Sequence, residues 1–329
     1  MFELEPSNAA AYLCSRQDLP VCCWRITTLP GGVSNTVLLA ESDAHRLVLK
    51  QSLGRLRVEQ DWFADRTRIH REWAALRALA PHFPPGSLPS VLFEDRPNCL
   101  FAMSAAPAGS RSWKSLLMDG RMDIAVAECV AHLEGVMLRA SWNSPSWEQA
   151  FGDPTNMDQL RLDPYYRATA ARLPDLAGFF QQLVASCLER RSALTHGDWS
   201  PKNFLVDGDR VTAIDFEVIH YGDPSFDAAF LINHLFLKSF RFPRHAAGLA
   251  RLALGYWKAL VSHLPSDAGW FPQATLHHLA GLLLARVDGK SPAEYLDTPD
   301  LRRQVREFAR EAILRPPATL EALWERRNP

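Results

Sequence analysis

The sequence predicts an α+β fold of two lobes: a small, β-rich N-terminal lobe with one main helix, and a larger, mostly helical C-terminal lobe. Three observations predict it. The chain has 329 residues, more than one core usually accommodates. Strand signals crowd before residue 104, and helical spacing dominates after residue 110. A small, turn-rich run, Ser104-Ala105-Ala106-Pro107-Ala108-Gly109-Ser110, separates the two regimes. The expected boundaries are 1–104 for the first lobe, 105–110 for a hinge and 111–329 for the second lobe.

Residues 21–50 read as strand, Gly31-Gly32 turn, strand and further strand, ending in the β-rich run Arg46-Leu47-Val48-Leu49-Lys50. Ile69, Trp73, Leu76 and Ala80 recur at helical spacing until Pro81 stops them, which predicts one amphipathic helix over 65–80. Two short strands follow at 91–94 and 100–103. Beyond the hinge, residues 112–140 and 173–191 read as helices around a Trp/Pro/Asp-rich insertion at 142–164. Phe204-Leu205-Val206 and Val211-Thr212-Ala213-Ile214 are short β-runs joined by Asp207-Gly208-Asp209-Arg210, a strong hairpin signal. From Ala228 onward the pattern is helical again, broken at Pro243, at Pro265 and over 289–292.

Composition excludes several classes. Apolar residues form 47 % of the chain and charged residues 22 %, ordinary globular usage. The 36 lysines and arginines nearly cancel the 37 aspartates and glutamates, so nucleic acid and anionic membrane are not expected partners. Met1-Phe2-Glu3-Leu4-Glu5-Pro6 lacks a basic start and apolar run, and a cytoplasmic location is expected. The most apolar stretch, residues 228–237, is too short to span a bilayer and contains Asn233 and His234. Six cysteines without C-x-x-C spacing read as reduced thiols.

The chemistry concentrates in His196-Gly197-Asp198-Trp199-Ser200-Pro201-Lys202-Asn203 and, past the hairpin, Asp215-Phe216-Glu217. Asp198 and Asn203 stand as the Asp and Asn of a kinase catalytic loop, H-R-D-x-x-x-x-N, whose later D-F-G supplies a second Asp. In such a loop the first Asp accepts the substrate hydroxyl proton, and the Asn and second Asp hold Mg²⁺. Here Gly197 replaces the Arg and Glu217 replaces the final Gly. A tight hairpin centred on Gly208 sets residues near 203 opposite residues near 214, so Asn203 and Asp215 should meet at its open end. One amide and one carboxylate suit Mg²⁺, which completes its shell with phosphates and water. An Asx-rich surface turn would explain neither His-Gly-Asp nor the spacing.

With Tyr221-Gly222-Asp223-Pro224 and Phe226-Asp227, these residues resemble the aminoglycoside phosphotransferase and choline kinase superfamily, of protein-kinase-like fold. The resemblance implies Asp198 as catalytic base, Asn203 and Asp215 as metal ligands, and Asp227 as a buried acceptor of hydrogen bonds from the catalytic loop. The first lobe then supplies candidates for a nucleotide site. Gly31-Gly32-Val33-Ser34-Asn35 lies between two strands, where backbone N–H groups and the small Ser34 could cradle phosphates. Lys50 ends its strand as a kinase lysine does on its way to the α and β phosphates. Glu72 borders the buried face of its helix and needs a cation there, for which Lys50 is the natural partner. Met103, before the hinge, completes the expected nucleotide-binding set.

Lys50-Gln51-Ser52-Leu53, Arg55, Arg57, Trp62, Asp65-Arg66 and Arg68-Ile69, together with the Asp215-Phe216-Glu217 form, look most like the methylthioribose kinase branch. That resemblance implies Glu217 as a further metal carboxylate and Trp62 in a flap near the nucleotide. If the strand stays extended past Ile214, side chains 215 and 217 share one side.

The expected activity is transfer of the γ-phosphoryl of Mg·ATP to a hydroxyl of a small molecule: an aminoglycoside, an amino alcohol or a methylthioribose-like sugar. The alternative is a non-catalytic nucleotide-binding protein of the same fold, monomeric or homodimeric in either case. A protein kinase is disfavoured, since no A-P-E segment or room for an activation loop precedes Asp223-Pro224. A cationic acceptor would need an acidic or aromatic pocket, for which Trp142, Trp147, Asp153, Asp158 and Asp163 are candidates. Arg286-Val287-Asp288-Gly289-Lys290-Ser291-Pro292 reads as a helix C-cap with Gly289 left-handed, with Arg286 and Asp288 as possible substrate contacts. His277-His278 lacks the partners of a zinc site.

Overall fold

The computed structural model describes residues 2–20, 22–29, 34–57 and 63–327. It is α+β, with an antiparallel sheet first and helices after it. Strands β1 (Arg25–Thr28), β2 (Asn35–Glu41), β3 (Arg46–Ser52), β4 (Val91–Asp95) and β5 (Leu100–Ser104) form one sheet in the order β1-β2-β3-β5-β4. Period-two alternation splits its faces. Leu38, Ala40, Leu47, Leu49, Leu100 and Ala102 pack with an N-terminal helix, α1 (Pro6–Cys14), whereas Val48, Phe101 and Met103 join the main core. Lys50 shares the parity of Val48, and so sits on the core-facing side. There it meets helix α2 (Arg68–Leu79), which buries Ile69, Glu72, Ala75, Leu76 and Leu79. Helix α1 carries too little periodicity to be foreseen; Ala9 and Leu13 bury it nonetheless.

After the strand β6 (Arg111–Ser112) come α3 (Trp113–Met118) and α4 (Ile124–Ser141). One helix was expected over 112–140. Gly120, at φ +78°, turns the chain instead, and the Asp123 side chain caps the second helix by accepting from Ala125 N–H. The insertion folds as α5 (Pro145–Phe151), α6 (Thr155–Met157), a π-helical segment (Asp158–Arg167) and α7 (Ala168–Arg172). Then come α8 (Ala177–Glu189), β7 (Ala193–Thr195), β8 (Phe204–Asp207), β9 (Arg210–Ala213) and β10 (His220–Gly222). Strand β10 pairs with β7, and β8 pairs with β6 and β9. Helices α9 (Ser225–Arg241), α10 (Ala246–Val261), α11 (Phe271–Asp288), α12 (Pro299–Leu314) and α13 (Leu320–Arg327) complete the chain. Helix α9 is buried almost all round, clamped by α10 and α11, and forms the floor beneath the 196–203 loop.

Gly289 departs from expectation. It is extended, at φ −80° and ψ −175°, not left-handed. A Cβ there would lie 2.5 Å from Ala285 O and 2.9 Å from Pro164 O, so close backbone approach is what the position requires. Among the described residues, no helix is long and apolar enough to cross a membrane.

Candidate active site

The β8–β9 hairpin has the register that its Asp-Gly turn predicts: Asp207 pairs with Arg210 and Phe204 with Ala213, and Ile214 N–H donates to Asn203 O at 3.0 Å. This closes the open end of the hairpin on the 196–203 loop. Asn203 Nδ2 donates to Asp198 O at 2.9 Å, which leaves the amide oxygen as an acceptor. His196, wholly buried, accepts from Asp198 N–H through Nδ1 at 3.1 Å and reaches Ile214 O through Nε2 at 3.2 Å. That pairing sets the proton on Nε2. Burial pushes the imidazole down to about 4, so the ring is neutral at pH 7.

Below the loop, Asp227 on α9 accepts from the backbone N–H groups of both His196 and Gly197. Gly197 stands at φ +75°, and a Cβ on it would come within 2.5 Å of Val218 Cγ1. An Arg in that place, as in H-R-D, would need both a strained backbone and the space Val218 fills.

Asp198 is buried, and two cations hold it: Lys202 at 2.8 Å and Arg161 at 3.0 Å, both on Oδ2. Burial pushes its carboxyl up, but Lys202 and Arg161 together outweigh burial and keep it below the ordinary carboxylate range. Lys202 lies in the quoted motif, four residues on. Arg161 was not foreseen. It projects from the π-helical segment, a rare geometry with no local sequence signature, and also donates to Gly197 O.

Lys50 bridges two carboxylates, Glu72 Oε2 at 2.6 Å and Asp215 Oδ1 at 2.5 Å. The Lys50–Glu72 contact is thus present as expected. Burial pushes Glu72 up, to about 7, against the opposing pull of Lys50. Burial also pushes Asp215 up, but Lys50 and Lys202 overcome it and hold that carboxyl well below its usual range. Lys50 itself is held above its ordinary value, burial being outweighed by Asp215 and Glu72.

Glu217 corrects the extended-strand expectation. Asp215 takes φ +71°, a left-handed conformation costly for a residue with a Cβ, and the chain turns rather than running on as a strand. Side chains 215 and 217 therefore diverge. Glu217 Oε1 accepts from Ser34 Oγ at 2.7 Å, and Oε2 accepts from Asn35 Nδ2 at 2.9 Å and Arg68 Nε at 3.0 Å. Both oxygens are occupied by the start of β2 and the first turn of α2. Ser34 Oγ and Asn35 Nδ2 thus point to Glu217, while the buried Asn35 amide oxygen has no partner among the described residues. Gly31 and Gly32 of the expected phosphate cradle, and Trp62 of the expected flap, lie outside the described residues. Met103 is buried opposite Val48 at the end of β5.

The donor set matters for a metal. Among the described residues, no three His, Cys, Asp or Glu side chains group as a metal cage. The Asn203 oxygen and the Asp215 carboxylate fit an ion that takes only a few protein ligands and fills its shell from phosphate and water.

A family model for the phosphotransferase enzyme family matches residues 25–270, well over half of the chain. This chain belongs to the phosphotransferase enzyme family. Among curated proteins, none matches it in sequence. Solved structures share the fold of this family member at low identity. An amicoumacin kinase in complex with AMP-PNP, Ca²⁺ and Ami is 16 % identical, with 90 % of each chain covered and a TM-score of 0.57. A choline/ethanolamine kinase family protein from Mesorhizobium loti is 17 % identical, covering 96 % of this chain and 97 % of that one, with a TM-score of 0.53. A macrolide 2'-phosphotransferase from Brachybacterium faecium is 18 % identical, covering 94 % and 99 %, also with a TM-score of 0.53.

The residues proposed for a cationic acceptor do not converge in this phosphotransferase. Trp142 stacks on Trp270 and donates to Asp267, and Trp147 packs on Phe151 and His82. Asp153 pairs with Arg71, Asp158 with Arg167, and Asp163 with Lys290. Asp288 is held by both Nε and Nη2 of Arg306.

Proposed function

We propose that this phosphotransferase moves the γ-phosphoryl of Mg·ATP to a hydroxyl of a small molecule, with Asp198 as the group that positions the hydroxyl and takes its proton. The observation that carries the reading is the convergence of Asp198, Asn203, Lys50 and Asp215 from three separate stretches of chain on one locus, the first three buried and Asp215 partly exposed. The similar amicoumacin kinase was solved with AMP-PNP and Ca²⁺, which supports a nucleotide and a divalent cation for the shared fold.

Asn203 and Asp215 would hold Mg²⁺, which when bound neutralises charge on the transferring phosphoryl group. Lys50, now shared between Glu72 and Asp215, is the cation available to the α and β phosphates, with Glu72 keeping it in place. The hydroxyl oxygen forms a bond to the γ-phosphorus as the bond to the β,γ-bridging oxygen breaks. The hydroxyl proton passes to Asp198, and ADP leaves with the electron pair. A carboxylate held below its usual range is a weak base, which suits a loose transition state where proton loss is late. Asp227 fixes the loop from beneath through two backbone N–H groups. Glu217 acts as a latch between β2, α2 and the metal-binding segment rather than as a ligand.

The test is Mg·ATP binding by calorimetry and slow ADP release to water, in wild type and Asp198→Asn. Wild type should bind Mg·ATP, and Asp198→Asn should bind it comparably while losing on the order of 10²–10⁴-fold in transfer. Retention of more than about a tenth of wild-type kcat would remove Asp198 from this role.

A further inference from the structure

One side of α9 leads outward from Asp198. Phe230, His234 and Lys238 fall at i, i+4 and i+8, on one face and about 12 Å apart end to end. Phe230 lies beneath the Arg161 guanidinium that holds Asp198, at 5.8 Å, so the near end of this face is the proposed site of transfer. Tyr165 stacks on Phe230 at 5.9 Å, and Tyr295 Oη meets His234 Nδ1 at 3.1 Å. Arg286 lies over the Tyr165 ring and contacts its hydroxyl at 3.3 Å.

The far end is cationic without a counter-ion. Lys238 is 1 % exposed, yet among the described residues it forms no ion pair. Its ammonium has only a long contact to His234 O, 3.4 Å, and the Tyr295 ring face at 4.7 Å. Arg286 also lacks a described carboxylate partner; Nη1 bonds to Ser291, and its buried Nε has none. The acidic side chain nearest in electrostatic effect, Glu294, is exposed and taken by Lys114. Burial, reinforced by Lys114 and Arg286, pushes Lys238 down to about 7. A desolvated ammonium among other cations is costly unless an anion completes it. A polycation or choline would find the opposite of what it needs.

We propose that the hydroxyl acceptor carries an anionic group, carboxylate or phosphoryl, received by Lys238 and Arg286 while its hydroxyl lies at Asp198. This rests on the phosphotransferase reading above and names its substrate class.

The test pairs acceptors that differ in charge, by calorimetry on the full chain with Mg·AMP-PNP present: D-gluconate against D-glucitol, D-ribose 5-phosphate against D-ribose, with kanamycin and choline as cations. At least one anionic member should bind at least about tenfold more tightly than its neutral partner. Lys238→Met should erase that preference and raise the unfolding temperature, whereas a lysine serving only the fold would lower it; Lys238→Arg should keep the preference. Tighter binding of neutral or cationic members, no binding of any anionic member, or a preference unchanged in Lys238→Met would overturn the proposal. Wild-type Mg·ATP binding needs no acceptor, so its failure would strike the phosphotransferase reading itself, and its success with cationic acceptors would strike this inference alone.

Discussion

Arg68 and Glu217 form a buried ion pair, Nε to Oε2 at 3.0 Å, that ties the first turn of α2 to the segment just past Asp215. The same guanidinium donates to the carbonyls of Ser34, Leu53 and Asp65, so one side chain gathers β2, the end of β3 and α2. Removing the carboxylate would leave Arg68 charged, out of water and without its counter-ion. We therefore expect Glu217→Ala to cost about 3 kcal/mol or more of unfolding free energy at pH 7, measured by denaturant titration. Its Mg²⁺ requirement at fixed ATP should overlay that of wild type. A raised Mg²⁺ midpoint with unchanged stability would return Glu217 to the metal.

Asp215 and Asn203 should differ in degree. A carboxylate attracts Mg²⁺ more strongly than a neutral amide does, so Asp215→Ala should abolish metal-dependent nucleotide binding and Asn203→Ala only weaken it. Equal Mg·ATP affinity in wild type and Asp215→Ala, by calorimetry, would contradict the assignment.

Gly197 is fixed by two independent constraints, its positive φ and the Val218 side chain. Gly197→Ala should lower stability by about 1–3 kcal/mol, from backbone strain and overpacking together. Because Gly197 precedes Asp198, kcat should fall more than nucleotide affinity does. A variant with wild-type Tm and kcat would mean that the loop relaxes freely.

His196 gives a pH test with a definite sign. Its folded pKa, about 4, lies below the ordinary 6.5, so the unfolded chain binds a proton that the folded one refuses. The stability it contributes is complete above about pH 6.5 and is lost as pH falls toward 4, up to about 3 kcal/mol. Other buried groups titrate in the same window: Glu72 and Asp227, both raised to about 7, act with opposite sign, and His220, lowered to about 4, acts with the same sign. The difference between wild type and His196→Asn removes them. That difference in unfolding free energy should shrink as pH drops from 7 to 4.5, and a pH-independent difference would show that the folded ring takes up its proton as readily as the unfolded one.

Local chemistry alone made much of this protein legible. The Asp-Gly turn set the register that brings Asn203 opposite Ile214, because a two-residue hairpin loop admits few geometries. Helical spacing put Glu72 at the border of a buried face, where it needs a cation, and the kinase-like strand-end position offered Lys50 as its partner. What the sequence could not decide was where side chains go once backbone regularity ends. Asp215 leaves the extended region, and Glu217 accepts from Ser34 and pairs with Arg68. Arg161 reaches Asp198 from an irregular segment whose spacing carries no period to read. Lys238 looks in sequence like any basic residue in the last turn of a helix. Only packing shows that it is buried against the Tyr295 ring with no ion pair among the described residues, since charge balance at a buried point is set by neighbours distant in sequence.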